Sequence, residues 1–505
     1  MISEAALRRL EAALPPGAVV RSEAERAAAE RATFATTQRI AAIAYPASRD
    51  EVRSALRVAA EEGFSVHPVS RGRNHGFGSR VPPRDGCVLL DLSRMDRVVA
   101  HDEALGLLTV EPGVTFQQAH RFLAERGSRL RLTTIGGPPD ASLIGNALER
   151  GEGRGPHSDA FAHACDLEVV LSTGEVLQTG LGRFGDAARA RGLHKWGLGP
   201  SLDGLFSQAA LGVVTRATLW LSPASEFMRD VVATVPEAGG LPGLVDAFRE
   251  LLLEGTLRSN AVLWNDVKAV ALSRQYPFEE AGGRTPLPPQ LLAELRAQVG
   301  SGAWNGATTV FAPDRGMGLT ALRRARRALV RAGAEVRSLG VEDGAQPQGV
   351  PSGWALRMAY WRKRSPPPES PDLDRDGCGF IWVDVAVPFT GAAAAEAVQI
   401  AASAVPLFGF EPNLSLLSAG PRCLFLAALL AYDREAPGED ERALACHRAL
   451  MRELGAAGFV PLRTGVESVG VELPRTADDS DAVLARVKAA LDPAGALAGG
   501  KHGRR

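Results

Sequence analysis

Val66-His-Pro-Val-Ser-Arg-Gly-Arg-Asn-His-Gly-Phe-Gly-Ser79 is the stretch that decides how this chain is read. A short apolar run, Phe64, Val66 and Val69, reads as a buried strand that stops abruptly at a loop carrying Gly72, Gly76 and Gly78. Between and before the glycines stand Ser70, Arg71, Arg73 and Asn74. Glycine lets successive backbone N–H groups turn onto one point with no Cβ in the way, and such a concave nest binds phosphate oxygens. The same residues also suit an ordinary glycine-rich turn, so the surroundings carry the choice.

Upstream, Ser48-Arg-Asp-Glu51 has the spacing of a capping box and opens a helix with Val52, Leu56 and Ala59 on one face, ending at Gly63. Ser22-Glu-Ala-Glu25 has the same spacing. Downstream, the pattern predicts strands at 87–92 and 107–110, the turn Glu111-Pro112-Gly113, and a helix over 115–126. A hairpin of 167–171 and 175–179 and a strand at 213–221 follow. Residues 1–225 therefore read as one α+β domain built around the loop.

From 226 the texture changes. Helical patterns at 243–255, 317–333, 391–404 and 439–457 are interleaved with strand-like runs at 261–264, 379–387 and 423–432. Segregation of this kind predicts a second domain, 226–464, with an antiparallel sheet covered by helices on one face. The Pro-rich break 365–371 is an exposed loop within it.

Composition narrows the partners. The 505 residues carry a net charge of −1 with 23% charged side chains, so no basic excess awaits nucleic acid and a small-molecule partner is favoured. Five cysteines, at 87, 165, 378, 423 and 446, include no C-x-x-C pair. That excludes a zinc-ligand pattern and a disulfide framework, and suits a reducing cytoplasm. No signal peptide is legible, and no later run approaches 18 apolar residues free of charge, so no membrane span is expected.

Gly72-Arg-Asn-His-Gly-Phe-Gly78, Val110-Glu-Pro-Gly-Val114, Ile144-Gly-Asn-Ala-Leu-Glu-Arg-Gly151, the stretch 199–208 and Leu211-Gly-Val-Val-Thr215 occur in one order. With the C-terminal 490–501, they resemble the vanillyl-alcohol oxidase/p-cresol methylhydroxylase flavoproteins over nearly the whole chain. The resemblance implies FAD, with its pyrophosphate in the loop Ser70, Arg71, Gly72, Arg73, Asn74, His75, Gly76, Phe77, Gly78, Ser79. It implies further cofactor contacts at Pro112, Gly113, Ser142, Gly145, Asn146, Arg150, Gly151, Gly212, Val213, Val214 and Lys501. It also implies a cap domain over the flavin, and a segment 465–505 that rejoins the first domain.

The resemblance is to the branch that oxidises para-substituted phenols. There, hydride leaves the benzylic carbon for flavin N5 while the phenol is held as phenolate, and a para-quinone methide results. Water addition, tautomerisation or loss of a carboxylate completes the reaction. A cation and hydrogen-bond donors are needed at the phenolic oxygen. In that branch two tyrosines and an arginine supply them; here their places fall on Phe77, Leu462 and Arg463, so only the arginine is kept. Arg463 has two readings, a phenolate partner or a fork onto a substrate carboxylate. Tyr360, one of four tyrosines, lies in the cap segment 354–361 and is the candidate replacement, by swinging in.

Other departures follow. The family aspartate falls near Gly137, with Asp140 as a substitute or as a turn-forming residue after two prolines. Arg154 and His157 stand where the family often has tyrosines beside the flavin; His157 suits a general base or a hydrogen-bonded structural role. Gly420-Pro-Arg-Cys-Leu-Phe-Leu426, where relatives attach FAD through histidine or tyrosine, has neither, so FAD is expected to be non-covalent. Cys423 is then inert packing or an unconventional linker, and Arg422 is placed by alignment near the flavin pyrimidine. The expectation is an FAD-dependent oxidoreductase of a para-hydroxyphenyl substrate, with oxidative decarboxylation of an aryl-substituted acid as a concrete option in tailoring a secondary metabolite. Dioxygen or an electron-transfer protein would accept the electrons, and a homodimer is compatible. The rival readings are an FAD oxidase of a non-phenolic alcohol or hydroxy acid, and a redox-inactive flavin-binding partner.

Overall fold

Ser48 caps the helix Arg49–Glu62: its Oγ accepts the Glu51 N–H at 3.3 Å, and the Glu51 carboxylate accepts the Ala47 N–H at 2.9 Å. Gly63 ends the helix at φ 71°, a left-handed conformation that glycine enters at little cost. The chain turns into the strand Val66–Val69. In the computed structural model, which describes residues 2–471 and 478–501, this strand lies parallel to Cys87–Asp91. Ile40–Ala44 is parallel on the other side of Cys87–Asp91, and Val19–Val20 closes the edge antiparallel. Ser22 precedes the helix Glu23–Ala29 but makes no side-chain capping bond, which corrects the reading from its spacing.

A second, five-stranded antiparallel sheet runs in the order Val98–Asp102, Leu107–Val110, Val213–Trp220, Ala164–Val170, Val176–Gln178. Together the two sheets and their helices make the fold's α+β first part. The chain then enters an eight-stranded sheet at Phe227–Val235. Its order is Glu335–Leu339, Phe227–Val235, Trp304–Ala312, Val262–Asn265, Asn413–Ser418, Cys423–Asp433, Cys378–Pro388, Pro461–Arg463, with every pair antiparallel.

Period-two alternation sorts the two faces of this sheet. Val231, Leu263, Leu414, Leu416, Leu424, Leu426, Ile381, Val383 and Val385 point to one side. There they pack against the helices Leu241–Leu253, Arg315–Arg331, Gly391–Ala404 and Glu439–Ala456 in one buried core. Among the described residues, Gly391–Phe408 is the one helical stretch long and apolar enough to cross a membrane by composition. It contains Glu396, and its Ala394, Ala397 and Ala401 are fully buried in that core. The opposite face of the sheet looks onto the α+β part.

The C-terminal stretch returns to the first sheet. Val66 N–H donates to Ala496 O at 2.7 Å and Ala498 N–H donates to Val66 O at 2.9 Å, placing Leu497 beside Val66 as a parallel bridge. Of the expected segment 465–505, residues 472–477 and 502–505 lie outside the described residues.

Candidate functional site

The loop after Val69 does what its glycines permit. Gly72, Gly76 and Gly78 have φ of 64°, 83° and 106°. Among the described residues, no acceptor takes the backbone N–H of Gly72, Arg73, Asn74 or His75, so four consecutive donors are unspent. The Arg73 guanidinium is braced by Asp140 at 2.7 Å and Asp372 at 2.9 Å, and Ser79 Oγ donates to Asp374 at 2.9 Å. Gly76 and Gly78 serve close packing instead, since a Cβ would lie 2.5 Å from the Trp382 ring at the first and 2.7 Å from Val466 at the second. Their bareness lets the loop dock on the eight-stranded sheet.

Three more segments complete the cradle. Ser142 caps the short helix Leu143–Leu148, accepting the Gly145 N–H at 2.9 Å and donating to Pro112 O at 2.6 Å. Gly113 holds that turn down, because a Cβ there would sit 2.5 Å from Ser93 O. Arg150 and Gln208 both take positive φ, 53° and 51°, an uncommon conformation for such residues, and Arg150 Nε donates to Ser207 Oγ at 3.0 Å. Lys501 Nζ reaches Glu149 at 2.6 Å, while Thr464 donates to Lys501 O at 2.8 Å.

Between this cradle and the sheet runs one continuous cavity of about 1680 Å³. Single-ligand pockets span roughly 300–1,000 Å³, so there is room for a large cofactor and a substrate together. Ser70–His75, Phe77, Ser79, Ser142, Gly145, Asn146, Gly151, Gly212–Val214 and Lys501 line it. Gly76, Gly78, Pro112, Gly113 and Arg150 stand behind the wall and shape it. The unspent N–H run and this volume fit FAD.

The sheet's contribution is two cross-strand rows. In register, Trp264, Ser415, Ala427, Asp384 and Arg463 cross five strands side by side, all facing the cavity. Beside them Ala307, Val262, Leu417 and Phe425 form an apolar row. Arg463 ties sheet to loop: Nη2 donates to Asn74 Oδ1 at 3.0 Å, and the guanidinium lies 4.5 Å from the centre of the Phe77 ring. Asp384 is buried with Oδ1 unpartnered, and burial pushes its carboxyl up to about 7, with Arg463 and Lys268 opposing. Lys268 comes from the helix Asp266–Ser273, donates to Ser415 Oγ at 2.8 Å, and is pushed down to about 8 by burial.

A second polar group borders the cavity. Arg154 Nη1 bonds both oxygens of Asp230 at 3.0 Å, Thr309 Oγ1 donates to Asp230 at 2.6 Å, and burial holds the Arg154 guanidinium below its ordinary value. Glu152 is lifted to about 8 by burial and then by Asp159, and its Oε2 has no hydrogen-bond partner.

The remaining candidates are not brought into the cavity. His157 Nδ1 is bonded to Trp220 O at 3.0 Å, with its ring stacked 4.0 Å from His163. Tyr360 is buried and donates to Asp376 at 2.6 Å. Arg422 is exposed at the hairpin before Cys423–Asp433, and the Cys423 thiol is pushed upward by burial. Asp140 serves Arg73 from the rim. Lys268, Asp384, Glu152 and Asp230 escaped the reading of the sequence; only Asp384 had a signal there, as a lone carboxylate inside an apolar strand.

Comparison with known proteins agrees with this geometry. A family profile described as "FAD binding domain" matches residues 40–180. The "1'-carboxy-chondrochloren decarboxylase" of Chondromyces crocatus is 40% identical over 99% of this chain and 97% of its own. The "4-cresol dehydrogenase [hydroxylating] flavoprotein subunit" of Pseudomonas putida is 26% identical over 90% and 86%. The structure of 4-ethylphenol oxidase from Gulosibacter chungangensis superimposes with a TM-score of 0.90 at 25% identity, covering 99% of this chain and 96% of that one. With FAD as its cofactor and oxidoreduction as its chemistry, this chain belongs to the vanillyl-alcohol oxidase/p-cresol methylhydroxylase family.

Proposed function

We propose that this protein oxidises the benzylic position of a para-hydroxyphenyl substrate that carries a carboxylate on the adjacent side-chain carbon, and that carbon dioxide is lost. Two relatives are named for the para-alkylphenols 4-cresol and 4-ethylphenol, and a third for a decarboxylation. FAD, when bound, supplies the two-electron acceptor for the benzylic hydride. The chain's residues select and hold the substrate. Trp382, Phe380 and Phe425 offer aromatic surface for the ring.

The observation that carries the reading is Arg463, a permanent cation held by Asn74 and Phe77 where the cradle meets an aromatic-lined sheet. A cation there lowers the cost of an oxygen anion on the ring, and a phenolate is the electron source that drives hydride departure. After hydride loss the substrate is a quinone methide. The bond to the carboxylate then breaks, its electron pair forms the new side-chain double bond, and the ring returns to phenolate as carbon dioxide leaves. Against the aromatic wall of Phe380, Trp382 and Phe425 that loss is favoured, because a desolvated carboxylate is poorly stabilised.

Anaerobic mixing of the holoenzyme with aryl acids, with and without a para-hydroxyl, tests this. Bleaching of the flavin band should require the para-hydroxyl, and the product should be lighter by two hydrogens and carbon dioxide. Bleaching indifferent to the hydroxyl would sink it. Repeating the assay in air distinguishes dioxygen from an electron-transfer protein as acceptor.

A further inference from the structure

The polar row on the sheet holds more than the arginine the family resemblance leads one to expect. Lys268 is buried, with its ammonium on Ser415 Oγ at 2.8 Å and 5.4 Å from the centre of the Trp382 ring. Asp384 lines the same cavity, near enough for its charge and that of Lys268 to act on each other, and its shielded Oδ1 is unsatisfied. Between Ser415 and Asp384 in the row stands Ala427, whose methyl leaves space above the sheet. An unpaired lysine or aspartate is costly to bury, and a buried carboxylate with an unsatisfied oxygen on a cavity wall points to a hydrogen-bonding ligand. Among the described residues, the charged groups acting on Asp384 are Arg463 on the neighbouring strand and Lys268 from the helix.

We propose that Lys268 and Asp384 are this site's phenol-recognition pair: Asp384 takes the proton of the substrate's phenolic hydroxyl, and Lys268 shares the resulting phenolate with Arg463. The proposal rests on the phenol reading above. The phenolic O–H bond breaks, a new O–H bond forms on the Asp384 carboxylate, and the electron pair stays on the phenolic oxygen. Two cations and one proton acceptor replace the hydroxyl donors that Phe77 and Leu462 do not supply. The carboxyl of Asp384, poised near neutrality, suits acceptance and release of that proton in each turnover.

The test uses 4-nitrophenol, whose phenolate is coloured, titrated from low to high pH in the holoenzyme and in Lys268→Met, Asp384→Asn and Ser415→Ala. The native protein should bind it as phenolate well below the pH at which the free phenol ionises. Lys268→Met should raise that pH by about one to three units, with partial recovery in Lys268→Arg. Asp384→Asn should change the pH dependence of flavin bleaching more than its plateau. Ser415→Ala keeps both charges and should give a smaller shift than Lys268→Met, so a fold defect is told apart by retention of FAD absorbance. If the native protein ionises 4-nitrophenol but FAD-loaded variants do so identically, the pair is overturned and the phenol reading stands. If the native protein shows no such ionisation and bleaching ignores the para-hydroxyl, both fall.

Discussion

Glu152 is the residue whose titration is most exposed to test. Burial, reinforced by Asp159, lifts its carboxyl from 4.5 to about 8. An acid whose folded value is raised is stable in its protonated form, so its contribution is intact below the unfolded value and is lost as pH rises towards the folded one. The holoenzyme should therefore match Glu152→Gln in stability near pH 4, and fall behind it progressively between about pH 5 and pH 8. The deficit should level off above that at an order of a few kcal/mol. Thermal unfolding of both proteins across pH checks this, and a gap that does not vary with pH would refute it. Glu152, Lys268 and Asp384 share a reason for being hard to read from sequence. A single charged residue in a glycine-rich loop or a short helix looks like any solvated side chain until its neighbours in space are known, and a lone carboxylate in an apolar strand marks a buried charge without saying what it faces. Arg463 and Asn74 were legible because a motif, not a local pattern, carried them.

At the scale of elements, what the sequence declared best was what local chemistry determines. The helix Arg49–Glu62, its cap and its glycine stop follow from residues within reach of one another. The strand Ile40–Ala44 did not, since Ile-Ala-Ala-Ile-Ala has no polar alternation and three alanines dilute its two strand-favouring isoleucines, and it is specified by the parallel partner Cys87–Asp91. Phe227–Val235 was equally veiled, because Arg229 and Asp230 interrupt it and Asp230 is polar for the sake of Arg154. The turn at Pro112-Gly113 allows a sharp expectation. Gly113→Ala would drive a Cβ to 2.5 Å from Ser93 O and 2.8 Å from Met95 O, both backbone atoms that cannot swing aside. Overpacking of this kind costs about 1–3 kcal/mol. Because Pro112 O anchors the Ser142 cap, the loss should show both as a lower melting temperature and as weaker FAD retention. Gly204→Ala, where a Cβ meets nothing within 4 Å, should change neither. Removing the Ser48 cap with Ser48→Ala should cost about 1 kcal/mol in denaturant unfolding and leave FAD binding intact.

At the scale of the whole molecule, the site is an agreement between parts far apart in the chain. The cradle comes from residues 70–79 and 142–151, the opposing face from strands between 227 and 463, and the clasp from the C-terminal stretch. No local pattern reveals that Trp382 must dock on Gly76 or that Leu497 must pair with Val66; the family resemblance implied that 465–505 returns to the first domain, but the residues that meet there needed the fold. The clasp is the joint with the clearest consequence. Asp492 accepts the N–H groups of Ala496 and Leu497 at 2.8 and 3.0 Å and so bends the chain back onto Val66. Two backbone bonds to Val66, buried Leu497, and Lys501 on Glu149 then fasten the edge of the strand that feeds the glycine-rich loop. Truncation before Gly495 would bare that edge and uncover apolar surface, while Glu149 would lose Lys501, the nearer of its cations, and keep Arg463 at 4.0 Å. The expected result is a chain that still folds around its eight-stranded core yet releases most of its FAD on gel filtration, with the cradle's amides exchanging faster. Lys501→Ala, which removes only the ion pair, should lose less FAD than the truncation. Equal FAD content in the truncated and full chains would show that the cradle holds its shape without the clasp.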